Sequence, residues 1–188
     1  MRTLRRVYAD RPWVQLIRAC LRAEGAGVLE ALPALAGDLA QIVPELALAK
    51  KDNGSSPEPE ELRFHLFDSV ATFFRAAAAT RPAVLLLDDL HWADAGSLLL
   101  LRFVARELRG AALLIVGTLR EGEVAPGTPQ RSLLAEAARE ARTLPLAGLE
   151  EDDVRRLVAR HTDAERAADV VADVYRLTEG NPFFIDEI

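Results

Sequence analysis

At residues 83–94 the chain reads Ala83-Val84-Leu85-Leu86-Leu87-Asp88-Asp89-Leu90-His91-Trp92-Ala93-Asp94. Five apolar residues lead directly into two adjacent carboxylates, a pattern typical of a buried parallel strand that ends at the edge of a sheet. Ligands of open α/β sheets bind outside the carboxyl ends of such strands. The pattern therefore predicts a functional site at Asp88 and Asp89.

The flanking sequence predicts an alternation of strands and helices. A loop of turn-forming and charged residues at 50–60 precedes a long helix that Pro82 ends, and residues 11–36 have a helical pattern interrupted by two glycines. Further helices are predicted at about 95–108 and 130–141, and strands at 83–87, 112–116 and 143–146. This order favours an α/β fold with a parallel sheet covered by helices.

The pattern changes after Gly148, because no strand signal follows it. A helix with acidic residues in its first turn begins near Leu149, and a second helix ends before Gly180-Asn181-Pro182. We therefore predict an α/β domain over residues 1–148 and a small helical subdomain over residues 149–188.

Composition excludes several classes of protein. A net charge of -6 gives no electrostatic basis for binding nucleic acid or an anionic membrane. The short basic start at Arg2, Arg5 and Arg6 is interpreted as a frayed terminus. The single cysteine, Cys20, cannot form an internal disulfide. The sequence shows no signal peptide or membrane-spanning run, so a cytoplasmic location is expected.

Two adjacent carboxylates repel each other, which makes a purely solvated strand end a poor explanation of Asp88 and Asp89. The functional interpretation is that Asp88 orients a hydrated Mg²⁺ and that Asp89 positions or activates water. Arg120 follows the next strand, where its planar guanidinium suits phosphate oxygens. Thr118 is a hydrogen-bonding candidate at the same strand end, and Trp92 is expected to pack.

Residues 85–94 resemble the Walker B segment of STAND-type AAA+ ATPases, the modules of large LuxR-type transcriptional regulators and multidomain adenylate cyclases. Three further segments extend the resemblance: Gly117-Thr118-Leu119-Arg120 is similar to sensor 1, Leu146-Ala147-Gly148-Leu149 to the exit into the helical lid, and Gly180-Asn181-Pro182 to the family's Gly-x-Pro segment.

The resemblance implies ATP or ADP with Mg²⁺ as ligands and an ATP-dependent switch as the function. Asp88 would then hold the metal, Asp89 would handle water and Arg120 would sense the γ-phosphate, while Thr118 and Pro182 would contact the nucleotide. The implied partner is an output domain or protein, with no direct binding of nucleic acid and no membrane.

The sequence departs from the family at the phosphate loop. That loop needs Gly-x-x-x-x-Gly-Lys-[Ser/Thr], and the only lysines, Lys50 and Lys51, follow no glycine. The family's strand before the loop lies between the strands expected at 112–116 and 143–146, so we expect unpaired strand edges, an open apolar slot, and weak or absent nucleotide binding and hydrolysis. The chain is interpreted as a fragment that lacks Walker A.

Two alternatives remain at this point. One is a non-catalytic protein-interaction module on the same fold. The other is a metal-dependent phosphohydrolase in which Asp88, Asp89, His91 and Asp94 bind the metal, although a lone histidine more often makes a local backbone or carboxylate contact.

Overall fold

A computed structural model describes residues 2–7, 12–24, 29, 33–46, 59–120, 122–160 and 164–187. The chain divides into two compact units, Met1–Ala141 and Arg142–Ile188. Most of the loop expected at 50–60 and the glycines expected to interrupt the helix at 11–36 lie outside the described residues.

The first unit is built on a parallel sheet of three strands in the order β1-β2-β3. The strands are β1 (Arg2–Val7), β2 (Ala83–Leu87) and β3 (Leu113–Gly117). Ala83 pairs with Leu113 and Leu87 with Gly117, so β2 and β3 end together. The predicted parallel sheet is confirmed, and β2 is its central strand.

The expectation of a frayed start was wrong, because Arg2–Val7 pairs along β2 with Arg2 opposite Ala83. The segment is rich in arginine and lacks an apolar run, so its sequence alone carries a weak strand signal. The free edge of β2 supplies the hydrogen-bonding partners that make this segment a strand.

Helices and 3₁₀ turns flank the sheet in the described part of the first unit. The helices are α1 (Pro12–Glu24), α2 (Pro33–Leu39), α3 (Pro59–Thr80), α4 (Ala95–Glu107) and α5 (Pro129–Glu140), and the turns are Pro44–Leu46 and Leu90–Trp92. Their apolar faces bury β2 in one core that includes Leu16, Ile17, Phe73, Leu85 and Val104. Each burial removes apolar surface from water, which is the main source of stability.

The strand predicted at 143–146 is absent, since residues 142–150 have no regular structure. Leu144 is 66% exposed and Leu146 is 95% exposed. Pro145 has no N–H to donate, and the described strands offer this short segment no partner, so its apolar residues cannot form a ladder.

The second unit contains α6 (Glu151–Val158), α7 (Ala164–Thr178) and α8 (Pro182–Asp186). Its core contains Val154, Val171, Val174 and Ile185. The Leu149 N–H donates to the Gly180 carbonyl at 2.7 Å and so joins the segment before α6 to the turn before α8. None of the described helices has both the length and the apolarity needed to cross a membrane.

Helix α4 begins with a side-chain cap. The Asp94 carboxylate accepts hydrogen bonds from the Ser97 N–H at 2.9 Å and from the Ser97 hydroxyl at 2.8 Å. Burial would raise the pKa of Asp94, but these hydrogen bonds outweigh it and hold that pKa below its ordinary value. Asp94 therefore stabilises the helix that follows the Walker B-like segment.

We expect Asp94→Ala to lower the free energy of unfolding by about 1 kcal/mol, while Asp94→Asn changes it little because asparagine also caps helices. The pKa of Asp94 is lower in the folded chain than in the unfolded chain. The stabilisation by the Asp94 carboxylate is therefore complete above about pH 4 and is lost as the pH falls through the folded pKa. Urea unfolding at several pH values measures both effects. An alanine variant as stable as the wild type at pH 7 would contradict the capping role.

Candidate functional site

The carboxyl ends of β2 and β3 are joined by backbone hydrogen bonds beyond the two strands. The Thr118 N–H donates to the Leu87 carbonyl at 2.9 Å, and the Leu90 N–H donates to the Thr118 carbonyl at 2.8 Å. The parallel register makes both strands end at the same edge. Asp88 and Asp89 therefore lie beside Thr118, as expected for residues that follow neighbouring parallel strands.

Thr118 bonds to both acidic residues. Its hydroxyl donates to Asp88 Oδ1 at 2.5 Å and accepts the Asp89 N–H at 2.9 Å. One hydroxyl has a single proton to donate and lone pairs to accept, so both bonds form together. Thr118 thus orients the Asp88 carboxylate, a contact between two site residues that the sequence pattern did not predict.

Asp89 has a left-handed backbone, with φ 56° and ψ 48°. Non-glycine residues adopt this conformation rarely, and aspartate is among the side chains that tolerate it. The bend turns the chain from β2 into the 3₁₀ turn Leu90–Trp92. Its carboxylate stays 30% exposed, so it remains accessible to water or a ligand.

His91 lies inside the bend, with only 2% of its side chain exposed. Its Nδ1 accepts a long hydrogen bond of 3.4 Å from the Arg120 N–H, and its Nε2 lies 3.9 Å from Asp89 Oδ1. The interpretation of His91 as a residue making local backbone and carboxylate contacts fits this geometry. No signal in the sequence indicated that Arg120 would be one of its partners.

Arg120 follows β3 with its guanidinium 70% exposed and 3.9 Å from Glu123. A surface guanidinium can exchange such a contact for a phosphate, because exposed ion pairs contribute little free energy. Arg120 thus lies in the same loop cluster as Asp88, Asp89 and Thr118. Its predicted role as a γ-phosphate sensor stays a prediction.

Trp92 was expected to pack, and that expectation was wrong. The 3₁₀ turn points His91 inward and leaves Trp92 70% exposed, with its ring centroid 5.5 Å from that of His91. The turn that follows the two carboxylates thus carries a large exposed aromatic side chain.

Pro182 lies in the second unit, where it begins α8 behind the Asn181 cap. The Asn181 side chain accepts the Phe183 N–H at 3.1 Å, and Phe183 and Phe184 are 67% and 53% exposed. A proline at the first helical position is a common structural device. Its predicted contact with a nucleotide base remains a prediction.

The donor chemistry at Asp88 fits a hydrated magnesium ion, since Mg²⁺ prefers carboxylate oxygens and keeps several of its waters. No group of three or more His, Cys, Asp and Glu side chains in the described part of the chain could hold a metal ion by itself. Asp94 is engaged at the start of α4, so the ligand set of the phosphohydrolase alternative is not assembled.

The sequence matches the family described as "AAA ATPase domain" over residues 2–116, which is more than half of the chain. This chain belongs to the AAA ATPase domain family. The matched residues include β1, β2 and most of β3, and therefore Asp88, Asp89 and His91. Comparisons with curated proteins and with solved structures gave no significant match.

Membership of the AAA ATPase domain family supports a nucleotide-binding, ATPase-like module and, for the family in general, the use of Mg²⁺. The parallel sheet with flanking helices is compatible with an AAA-like α/β fold. In open α/β sheets, ligands generally bind outside the carboxyl ends of the strands.

Proposed function

We propose that this AAA ATPase domain is a regulatory switch of the STAND type, in which Mg²⁺-bound ATP and ADP favour different states of a signalling or transcription-regulatory protein. The observation that carries the proposal is the orientation of Asp88 by Thr118 at the shared end of β2 and β3. A carboxylate held in one direction suits a metal whose hydration geometry is strict.

Each site residue has a proposed task. Asp88 holds the water shell of Mg²⁺, Asp89 positions the attacking water, and Arg120 contacts the γ-phosphate. Thr118 and Pro182 contact the nucleotide, and residues 149–188 form the helical lid. A ligand shifts such a switch only by its difference in affinity for the two states, so ATP and ADP must be held differently.

The sequence has no Gly-Lys-[Ser/Thr] loop, which in P-loop proteins supplies a backbone cradle and a lysine for the phosphates. The groups that remain for contacting a metal-bound nucleotide are Asp88, Asp89, Thr118, Arg120 and Pro182. We therefore propose that this chain binds nucleotide weakly and hydrolyses it slowly or not at all, and that the switch output lies with a partner or another domain.

Calorimetric titration of the purified chain with Mg²⁺-ATP and Mg²⁺-ADP tests the proposal. We expect weak, magnesium-dependent binding that Asp88→Ala lowers by roughly ten- to a hundredfold, the usual range for hydrogen bonds to a charged group. Asp173→Ala is the matched control, because Asp173 is an exposed carboxylate on α7 that forms a surface ion pair with Arg176. A folded chain that binds neither nucleotide at millimolar concentration would overturn the proposal.

A second candidate, a protein-interaction module, is favoured by the outer edge of β3. The Ala83 N–H donates to the Ala112 carbonyl, and the Thr118 N–H donates to the Leu87 carbonyl. In a parallel ladder this pattern means that the even-numbered residues of β3 bond to β2. Ile115 and Gly117 therefore direct their backbone groups outward, and no described strand pairs with them, whereas the Leu113 N–H donates to the Ala111 carbonyl. A cavity of about 310 Å³ between β3, α4 and α5 lies beside this edge.

This edge has the groups needed to accept an added strand from another polypeptide. The exposed face of β3 carries Leu114 and Val116, which are 57% and 37% exposed. We expect Leu114→Lys to abolish any concentration-dependent association seen by sedimentation velocity, because a lysine on an edge strand opposes strand addition. Leu62→Lys, at a 37% exposed position on α3, is the control. Equal association of wild type and Leu114→Lys would argue against this candidate.

A further inference from the structure

His91 connects two residues that the proposed function assigns to different tasks. Its ring lies between the carboxylate of Asp89, the proposed water-positioning group, and the backbone of Arg120, the proposed phosphate sensor. The three residues come from the loops that follow β2 and β3. A single buried side chain thus bridges both strand ends.

The direction of the hydrogen bond from Arg120 fixes which ring nitrogen of neutral His91 carries the proton. The Arg120 N–H is a donor, so Nδ1 must accept and cannot carry a proton. In the neutral imidazole the proton then resides on Nε2, the nitrogen that faces Asp89 Oδ1 at 3.9 Å. The ring therefore presents an acceptor to the Arg120 backbone and a donor toward the Asp89 carboxylate.

The surroundings leave this ring little freedom to move. His91 belongs to a 3₁₀ turn that is closed by the Ala93 N–H donating to the Leu90 carbonyl at 3.1 Å. The preceding Asp89 is bent into the left-handed region, and its N–H is held by Thr118. The buried Nδ1 acceptor and the Arg120 N–H hold each other in a defined geometry, because leaving either group unsatisfied is costly.

We propose that His91 is a positioning residue that couples the Asp89 carboxylate to the Arg120 backbone, so that a ligand contact at Arg120 alters the orientation of Asp89. The coupling rests on the proposed nucleotide-dependent function, and it adds a route by which the phosphate sensor and the water-positioning group respond together. His91 acts through its two neighbours and touches neither phosphate nor water in this scheme.

Two substitutions separate the two contacts. His91→Asn keeps an acceptor oxygen at the position of Nδ1 and loses the donor toward Asp89, whereas His91→Gln places amide N–H groups near Nε2 and loses the acceptor for Arg120. His65→Gln is the matched control, because His65 is exposed on α3. If His91 only stabilised the fold, both His91 variants would lose stability and would affect the Arg120 amide to the same extent.

The first measurements need no nucleotide. We expect long-range ¹H–¹⁵N spectra of the wild type to show a protonated Nε2 and an unprotonated Nδ1. Exchange of the Arg120 amide should be roughly three- to tenfold faster in His91→Gln and unchanged within about twofold in His91→Asn, the range for one net hydrogen bond. Asp89→Asn should also shift the Arg120 amide resonance. A proton on Nδ1, or an Arg120 amide resonance that does not change in Asp89→Asn, would overturn the coupling.

Calorimetry with Mg²⁺-ATP and Mg²⁺-ADP then tests the consequence. Both His91 variants should bring the ratio of the ADP and ATP dissociation constants toward one, while His65→Gln leaves that ratio unchanged. Variants that keep the wild-type ratio would overturn the coupling while leaving the proposed function intact. Failure of the proposed function has a different signature, since the wild type itself would then bind neither nucleotide.

Discussion

Phe73→Ala should lower the free energy of unfolding by roughly 3–5 kcal/mol, the cost of removing a large aromatic side chain from a packed core. Phe73 lies on α3 with 0% of its surface exposed, and its ring meets Phe74 edge-on at a centroid distance of 5.2 Å. It belongs to the same core as Leu85 of β2, so the cavity would form in the core that includes the strand before Asp88.

Urea unfolding followed by tryptophan fluorescence measures the loss of stability in Phe73→Ala. Trp13 is buried in the same core, and its ring centroid lies 6.2 Å from that of Phe74. Phe64→Ala is the matched control on the same helix, since Phe64 is 60% exposed and its removal should cost about 1 kcal/mol or less. Equal losses in the two variants would show that the core placement of Phe73 is wrong.

Gly180→Ala should destabilise the second unit strongly. Gly180 has φ +74°, and an added Cβ would lie 2.1 Å from the Leu149 carbonyl oxygen and 2.8 Å from the Leu149 nitrogen. Both neighbours are backbone atoms, which cannot move aside as a flexible side chain can. The Leu149–Gly180 hydrogen bond would break, and we expect a loss greater than the roughly 1–2 kcal/mol for the left-handed conformation alone.

Amide hydrogen exchange at Val171 and Val174 of α7 measures the stability of that unit, because both residues belong to its core. The control is Gly127→Ala, where φ is +78° and nothing lies within 4 Å of the added Cβ. Gly127 lies in the first unit, and its substitution incurs the backbone strain without a clash, so urea unfolding of that unit should show a cost of about 1–2 kcal/mol. Protection at Val171 and Val174 that survives Gly180→Ala would contradict the described turn.

The candidate site was predictable where local pattern and strand position agreed. The apolar run at 83–87 and the carboxylates after it predicted β2 and the pair Asp88–Asp89, and the predicted strand at 112–116 is observed as Leu113–Gly117. Parallel strands place their carboxyl ends together, so the residues that follow β2 and β3 lie at one edge of the sheet. These inferences need only periodicity and the geometry of a parallel sheet.

Other predictions from the sequence were wrong because the features they concern depend on partners that are distant in sequence. Residues 143–146 have an apolar pattern, yet without an adjacent strand and with Pro145 among them they do not form one. Arg2–Val7 lacks such a pattern and still becomes β1, because the edge of β2 is available to it. Trp92 looked like a core residue, and the 3₁₀ turn exposes it.

The sequence by itself determined the parallel strand that leads into Asp88 and Asp89, since five consecutive apolar residues followed by carboxylates suit a strand buried on both faces. Only the tertiary structure decided that Thr118 bonds to both acidic residues and that His91 lies between Asp89 and Arg120. The Thr118 contacts and the Arg120–His91 contact join residues about thirty positions apart in the chain. Spacing along a sequence does not encode such distances, which are set by the strand register and the left-handed bend at Asp89.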